Sequence, residues 1–162
     1  MKPGIALLLC LAGCSPGGQS VKPQQPQDLE SAAIARGVVR DPKDSEIAGL
    51  YARDTDRLCI VPRDSGYRVG AYVDYGDRVS CSGAGRLSRG GTVLHVELSP
   101  RCGFDARVEG NRIVFPAAMP DGCAKLCSGH ASFSALAASR ISESVSEAQA
   151  LRDPKGRRLC AN

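Results

Sequence analysis

The chain has 162 residues, and 21 Lys and Arg against 17 Asp and Glu leave a formal charge of +4. At 17.0 kDa it has room for one domain and not two, and 43% apolar with 23% charged residues is ordinary globular composition, which excludes global disorder. Aromatics are only 4%, with no Trp, which argues against a stacking surface for nucleic acid, and +4 is too small for a DNA-binding footprint.

The first element in chain order is an export signal. Lys2 supplies a positive start and Ile5 to Ala12 a short apolar run, too short to span a bilayer. The run closes on Leu11-Ala12-Gly13-Cys14, followed by Ser15. This segment resembles the lipobox of bacterial lipoproteins, in which small residues fit the signal peptidase and the Cys thiol takes a diacylglycerol. The resemblance implies loss of residues 1–13 and a mature chain that begins at lipidated, palmitate-bearing Cys14. Ser15 in place of Asp is similar to lipoproteins sorted to the outer membrane, so the implied address is that membrane, facing the periplasm, with the lipid bilayer as one partner. Two or three acyl chains anchor stably where one is marginal. An ordinary secretory signal with an incidental Cys is the alternative.

Residues 14–40 form the next section, with Pro16-Gly17-Gly18-Gln19-Ser20 and Pro23-Gln24-Gln25-Pro26-Gln27. Polar and Pro-rich, without apolar period, its first part reads as a solvated tether. Asp28 to Val39 has room for a helical turn or two. The folded domain is expected over 41–162.

That domain reads as short antiparallel strands: residues 49–52, 57–61, 67–73, 79–87, 92–98, 103–109, 112–115 and, as the eighth, Ala131 to Leu136. Most alternate with period two; Leu94, Val96 and Leu98 point one way, His95 and Glu97 the other. Hairpin signals fall between them at Asp64-Ser65-Gly66, Tyr75-Gly76, Arg89-Gly90-Gly91 and Gly110-Asn111. Spacing near ten residues with one apolar face predicts a mainly β fold, an eight-stranded up-and-down barrel or a tight sandwich. Gly83 and Gly85 suit a strand that bends sharply to close a barrel. Ser144-Val145-Ser146-Glu147 has capping-box spacing and introduces a short C-terminal helix through Leu151.

Setting aside Cys10 and Cys14 leaves Cys59, Cys81, Cys102, Cys123, Cys127 and Cys160. An even number in an exported chain favours three disulfides. The expected pairs are Cys81 with Cys102 across neighbouring strands, Cys59 with Cys160 to pin the tail, and Cys123 with Cys127. On the chain-entropy model the long link contributes about 4–5 kcal/mol. Zinc on Cys123, Cys127 and His130 is the alternative, but the spacing is not a standard finger and no fourth ligand stands out.

No catalytic constellation is legible, so the expectation is a non-enzymatic protein with no cofactor or structural metal. His95 reads as an outward strand residue and His130 as a loop residue; no Ser sits in a nucleophile elbow, and Gly83-x-Gly85 opens no helix. An up-and-down barrel gathers alternate hairpins at one end. That end receives Asp54, Asp56, Asp74, Tyr75, Asp77 and Asp121, and the opposite end Arg63, Arg86, Arg89 and Arg112. The acidic end is a candidate partner-binding rim for a cationic group, or a weak calcium site, although Asp and Gly are also ordinary turn formers.

Ile47-Ala48-Gly49-Leu50-Tyr51 followed by Leu58-Cys59-Ile60 is similar to the opening of the periplasmic metalloprotease-inhibitor barrels. The resemblance covers about a dozen residues and implies an eight-stranded barrel; the chain departs from it in lacking Trp and in having six Cys in place of two. Lysozyme-inhibitor lipoproteins form a second barrel group, but Ser65-Gly66-Tyr67 lacks the spacing of their Ser-Gly-x-x-Tyr motif. These readings converge on an anchored binding module of the cell envelope, using the acidic rim or the barrel mouth. The alternatives are an inhibitor of a hydrolase, protease or lysozyme, and a structural envelope protein. An envelope protein, a hydrolase or a small ligand is the expected partner, and nucleic acid is not.

Overall fold

The computed structural model describes residues 29–36, 38 and 46–161, so the segments expected to be an export signal and a tether, with Cys14, lie wholly or mostly outside the described residues. The chain divides into two units, Met1–Val39 and Arg40–Asn162. In the first, Leu29–Ala35 forms helix α1, within the stretch expected to hold a turn or two.

The second unit contains β1 (Gly49–Arg53), β2 (Asp56–Arg63), β3 (Gly66–Asp74), β4 (Ser80–Gly90), β5 (Val93–Ser99), β6 (Cys102–Glu109), β7 (Arg112–Val114) and β8 (Ala137–Ser142). A 3-10 turn at Asp121–Leu126 precedes β8, and helix α2 (Val145–Ala150) follows it. Each strand pairs antiparallel with the next and β8 returns to β1, so the sheet is a closed up-and-down barrel rather than a sandwich.

Seven strands fall where alternation placed them; the eighth does not. Ala131–Leu136 is irregular, and β8 starts one residue later. Ala135 has a left-handed φ of 52°, and its amide donates to Pro116 O, while Leu136 N donates to Phe133 O. Phe133 and Leu136 are both buried, an i, i+3 pair of a turn rather than an i, i+2 pair of a strand. In β8 itself the apolar signal is inverted, because small Ala138 faces the core and Ile141 is exposed.

Inward residues fill the lumen: Tyr51, Leu58, Ile60, Val69, Val73, Leu87, Leu94, Val96, Ile113 and Phe115 belong to one buried cluster. An eight-stranded barrel is just narrow enough for side chains to do this. Gly85 shows how β4 coils: a Cβ there would lie 1.9 Å from Glu97 O, so only glycine permits β5 to approach this closely.

A second buried cluster lies outside the barrel, where Leu159, Cys160 and Ala148 cover Cys59 and Val61. This explains why Leu58 to Val61 is buried without alternation: both faces of β2 are covered. The segment is held by the Cys59–Cys160 disulfide, as expected. At α2, Ser144 Oγ accepts from Glu147 N at 3.3 Å, one half of the expected capping box. Ser142 Oγ, at 3.1 Å from Ser144 N, supplies the other half in place of the Glu147 side chain.

Candidate functional site

Four connections share one end of the barrel: Asp54–Thr55, Tyr75–Val79, Pro100–Arg101 and the long 115–136 segment between β7 and β8. Two disulfides pin that long segment. Cys102 bonds Cys123 and Cys81 bonds Cys127, so the expected Cys81–Cys102 and Cys123–Cys127 pairs are replaced. The physical reason is topological. Cys81 and Cys102 stand on β4 and β6, with β5 between them, and β4–β5 pairing stops at Arg86–Glu97 before it reaches Cys81. The vacated place beside Cys81 is taken by Cys127, which makes an isolated antiparallel bridge with it, and Ser128 N donates to Ser80 O. With both sulfurs in disulfides, Cys123 and Cys127 are not thiolate ligands beside exposed His130. Among the described residues no cluster of three His, Cys, Asp or Glu is placed to hold a metal. The pinned segment also closes the barrel mouth, since Phe133, Cys123, Met119 and Leu126 pack on the core.

The rim residues do meet at this end. Thr55 Oγ1 donates to Asp74 O at 2.7 Å, and Tyr75, 57% exposed, reaches Ser132 O with its hydroxyl at 3.4 Å. Asp54 and Asp77 are exposed, and Asp121 lies at the start of the 3-10 turn. Asp56 is different: it is buried, paired with Arg53 at 2.9 Å, and its Oδ1 accepts from Asp74 N. It braces two hairpins from below and presents no carboxylate to a partner. Arg53, Arg57, Arg78, Arg101 and Lys125 share the same end, so its charge is mixed. The opposite end is mixed too. There Arg112 pairs with Glu109 at 3.7 Å across the β6–β7 turn, while Arg86 sits farther up the wall, paired with Glu97 at 3.0 Å on the last rung of the β4–β5 ladder. The four non-glycine residues with left-handed φ among the described residues, Asp54, Asp77, Arg78 and Ala135, all lie at the loop end.

Register reveals a row that spacing did not. On the outer wall Ser88 stands opposite His95, and His95 opposite Asp105. His95 Nδ1 lies 2.6 Å from Asp105 Oδ1, but no hydrogen bond joins Ser88 to the ring. His95 Nε2 instead lies 3.7 Å from where a Cβ on Gly90 would be. The row is an exposed His–Asp pair without an engaged hydroxyl.

The other feature is a gap in backbone pairing. Val108 N donates to Thr92 O, so the even residues of β6 turn their amides and carbonyls toward β5 and the odd ones toward β7. On that side Arg107 pairs with Val114 and Glu109 with Arg112, and the ladder then stops. Two residues on, the position opposite Asp105 belongs to Pro116, which has no N–H to give. Pro116 O accepts from Ala135 N instead, and the chain leaves β6 for β8. The main-chain groups of Gly103 and Asp105 therefore face a groove and have no backbone partner among the described residues. The groove, about 670 Å³, is lined by Gly103, Phe104, Asp105, Pro116, Ala118, Met119 and Pro120. Its floor is fixed, because the Cys102–Cys123 disulfide ties the start of β6 to the same segment. The Phe115-Pro116 step was visible in the sequence; that it falls opposite β6 required the register.

No family model matches the chain, and no curated protein or solved structure matches it.

Proposed function

We propose that this protein is a lipid-anchored, non-enzymatic binding module of the cell envelope that captures an extended protein segment along the open edge of β6. The observation that carries the reading is the unpaired backbone of Gly103 and Asp105 beside the apolar Pro116–Pro120 wall. An extended chain supplies the missing donors and acceptors as an added strand, and alternate side chains enter the apolar wall. The filled lumen and closed mouth favour an external site over a ligand inside the barrel. The lipobox-like Leu11-Ala12-Gly13-Cys14 supports anchoring at the outer membrane.

The test uses residues 40–162, which contain the core, all eight strands and the three disulfides, immobilised against envelope extract. Gly103→Pro removes one groove-facing amide without touching the β5 ladder, and Gly103→Ala is its control because its Cβ makes only an ordinary contact, with Val96 O at 3.8 Å. A partner held by wild type and Gly103→Ala but lost with Gly103→Pro supports strand addition; equal capture by all three refutes it.

A second reading, inhibition of a hydrolase, is favoured by the loop end. Its 115–136 segment is pinned by two disulfides, and its loops hold four left-handed non-glycine residues and carry exposed Tyr75, so little ordering of the pinned segment is left to lose on docking. It predicts stoichiometric inhibition of a protease or lysozyme that Tyr75→Ala and Asp54, Asp74 and Asp77→Asn weaken.

A further inference from the structure

Residues 46–150 hold twelve basic and twelve acidic residues, so the barrel and its hairpins are electrically balanced. The imbalance of the folded unit sits in one place. Residues 152–158, Arg-Asp-Pro-Lys-Gly-Arg-Arg, carry four cations and one acid. They form a tight hairpin in which Leu159 N donates to Leu151 O, Arg152 faces Arg158, and Gly156 N donates to Asp153 O.

The one acid is consumed inside the hairpin. Asp153 is buried; Oδ1 accepts from Lys155 N and Arg157 N, and Oδ2 from Ser82 Oγ and Arg157 Nε. The carboxylate is thus withdrawn from the surface while it fixes the loop that carries the cations. Arg152, Lys155 and Arg158 are exposed, and among the described residues none of them forms an ion pair with a carboxylate. Beside them lies a polar cleft of about 250 Å³, bordered by Ser80, Ser128 and Lys125. The hairpin is held on the barrel wall from both sides, by the Cys59–Cys160 disulfide and by Ser82.

We propose that this hairpin is a docking surface for the phosphate-bearing headgroups of an anionic membrane. Exposed ammonium and guanidinium groups on a fixed hairpin, with a hydroxyl-lined cleft beside Lys155, suit several phosphates spread over a surface. The choice of a membrane as the source rests on the anchoring reading above. With the acyl chains already holding the protein at the bilayer, a basic patch on the domain sets which wall of the barrel lies against it.

The test is vesicle co-sedimentation of unlipidated residues 40–162, so that it does not depend on Cys14. Vesicles of pure phosphatidylcholine are compared with vesicles containing phosphatidylglycerol. Binding is expected to the anionic vesicles alone and to fall steeply with salt. Arg152→Gln, Lys155→Gln and Arg158→Gln together should weaken it on the order of a hundredfold, at about fivefold per charge. The Lys155→Gln, Arg158→Gln pair leaves the Arg152–Gly156 hydrogen bond in place and should still weaken it on the order of tenfold. Equal binding to both vesicles, or unchanged binding by the triple variant, overturns the proposal. Displacement by inorganic phosphate beyond sodium chloride of equal ionic strength, or tighter binding to soluble polyphosphate than to vesicles, also overturns it by assigning the patch to a soluble anion. Failure of the anchor reading shows separately, as unchanged membrane fractionation of full-length Cys14→Ser.

Discussion

Ser82 Oγ lies 2.8 Å from Asp153 Oδ2, so a strand residue and a residue of the C-terminal hairpin, 71 positions apart, share one partly buried hydrogen bond. It joins the two layers of the domain, the barrel wall and the segment that covers it. Burial pushes the Asp153 carboxyl up, but the hydrogen bonds from Ser82 and Arg157 and the Arg157 charge outweigh it and hold the group below the usual carboxylate range. A depressed folded pKa contributes stability above the unfolded value near 4, and that contribution is lost as pH falls through the folded value. Ser82→Ala is expected to cost about 1–3 kcal/mol at neutral pH, and less in strong acid, in denaturant melts across pH.

Tyr51 makes the opposite prediction. Its hydroxyl donates to Ile47 O at 2.7 Å in the core, and burial, opposed by Arg140 and reinforced by Glu46, pushes its pKa up to about 12. The neutral phenol is the form that folds, so this contribution is full below pH 10 and lost between pH 10 and about 12. Tyr51→Phe should lower neutral-pH stability by about 1–3 kcal/mol and flatten that alkaline loss, read by tyrosinate absorbance and circular dichroism together.

Asp56→Asn and Asp54→Asn separate brace from rim. Asp56 is buried in its pair with Arg53, so its substitution should cost about 1–3 kcal/mol in a chemical melt. Exposed Asp54 should change stability by less than about 0.5 kcal/mol. Equal effects would mean that Asp56 is not the brace described.

Glycine spacing gives a test of barrel closure. Gly85→Ala brings a Cβ onto Glu97 O, a backbone atom that cannot rotate away, whereas Gly103→Ala meets nothing closer than Val96 O at 3.8 Å. The first should destabilise by about 1–3 kcal/mol or more and the second by less than about 0.5 kcal/mol, compared by thermal melting.

The disulfide pairing is checked by peptide mapping of unreduced protein, with Cys102–Cys123 and Cys81–Cys127 expected alongside Cys59–Cys160. Replacing Cys102 and Cys123 together by Ser should raise hydrogen exchange within 115–136 while the β2–β4 amides stay protected.

Sequence by itself determined a mainly β domain of short antiparallel strands, and β8 pairing with β1 decided barrel over sandwich. Alternation along residues 92–98 and 103–109, with glycine turns between, is a local property that each strand carries whatever its neighbours are. The cap at Ser144 and the Cys59–Cys160 link were legible for the same reason, each resting on a short motif or a terminal position. What the tertiary structure alone decided depends on register and on which strands stand side by side. Cys81 and Cys102 looked like neighbours until β5 came between them, Asp56 looked like rim until two hairpins folded over it, and Ala131–Leu136 looked like a strand until Ala135 turned. Most of all, Pro116 is an ordinary strand terminator in the sequence. Only its place opposite Asp105 turns it into an open backbone edge, because an unpaired amide is defined by the partner that is missing.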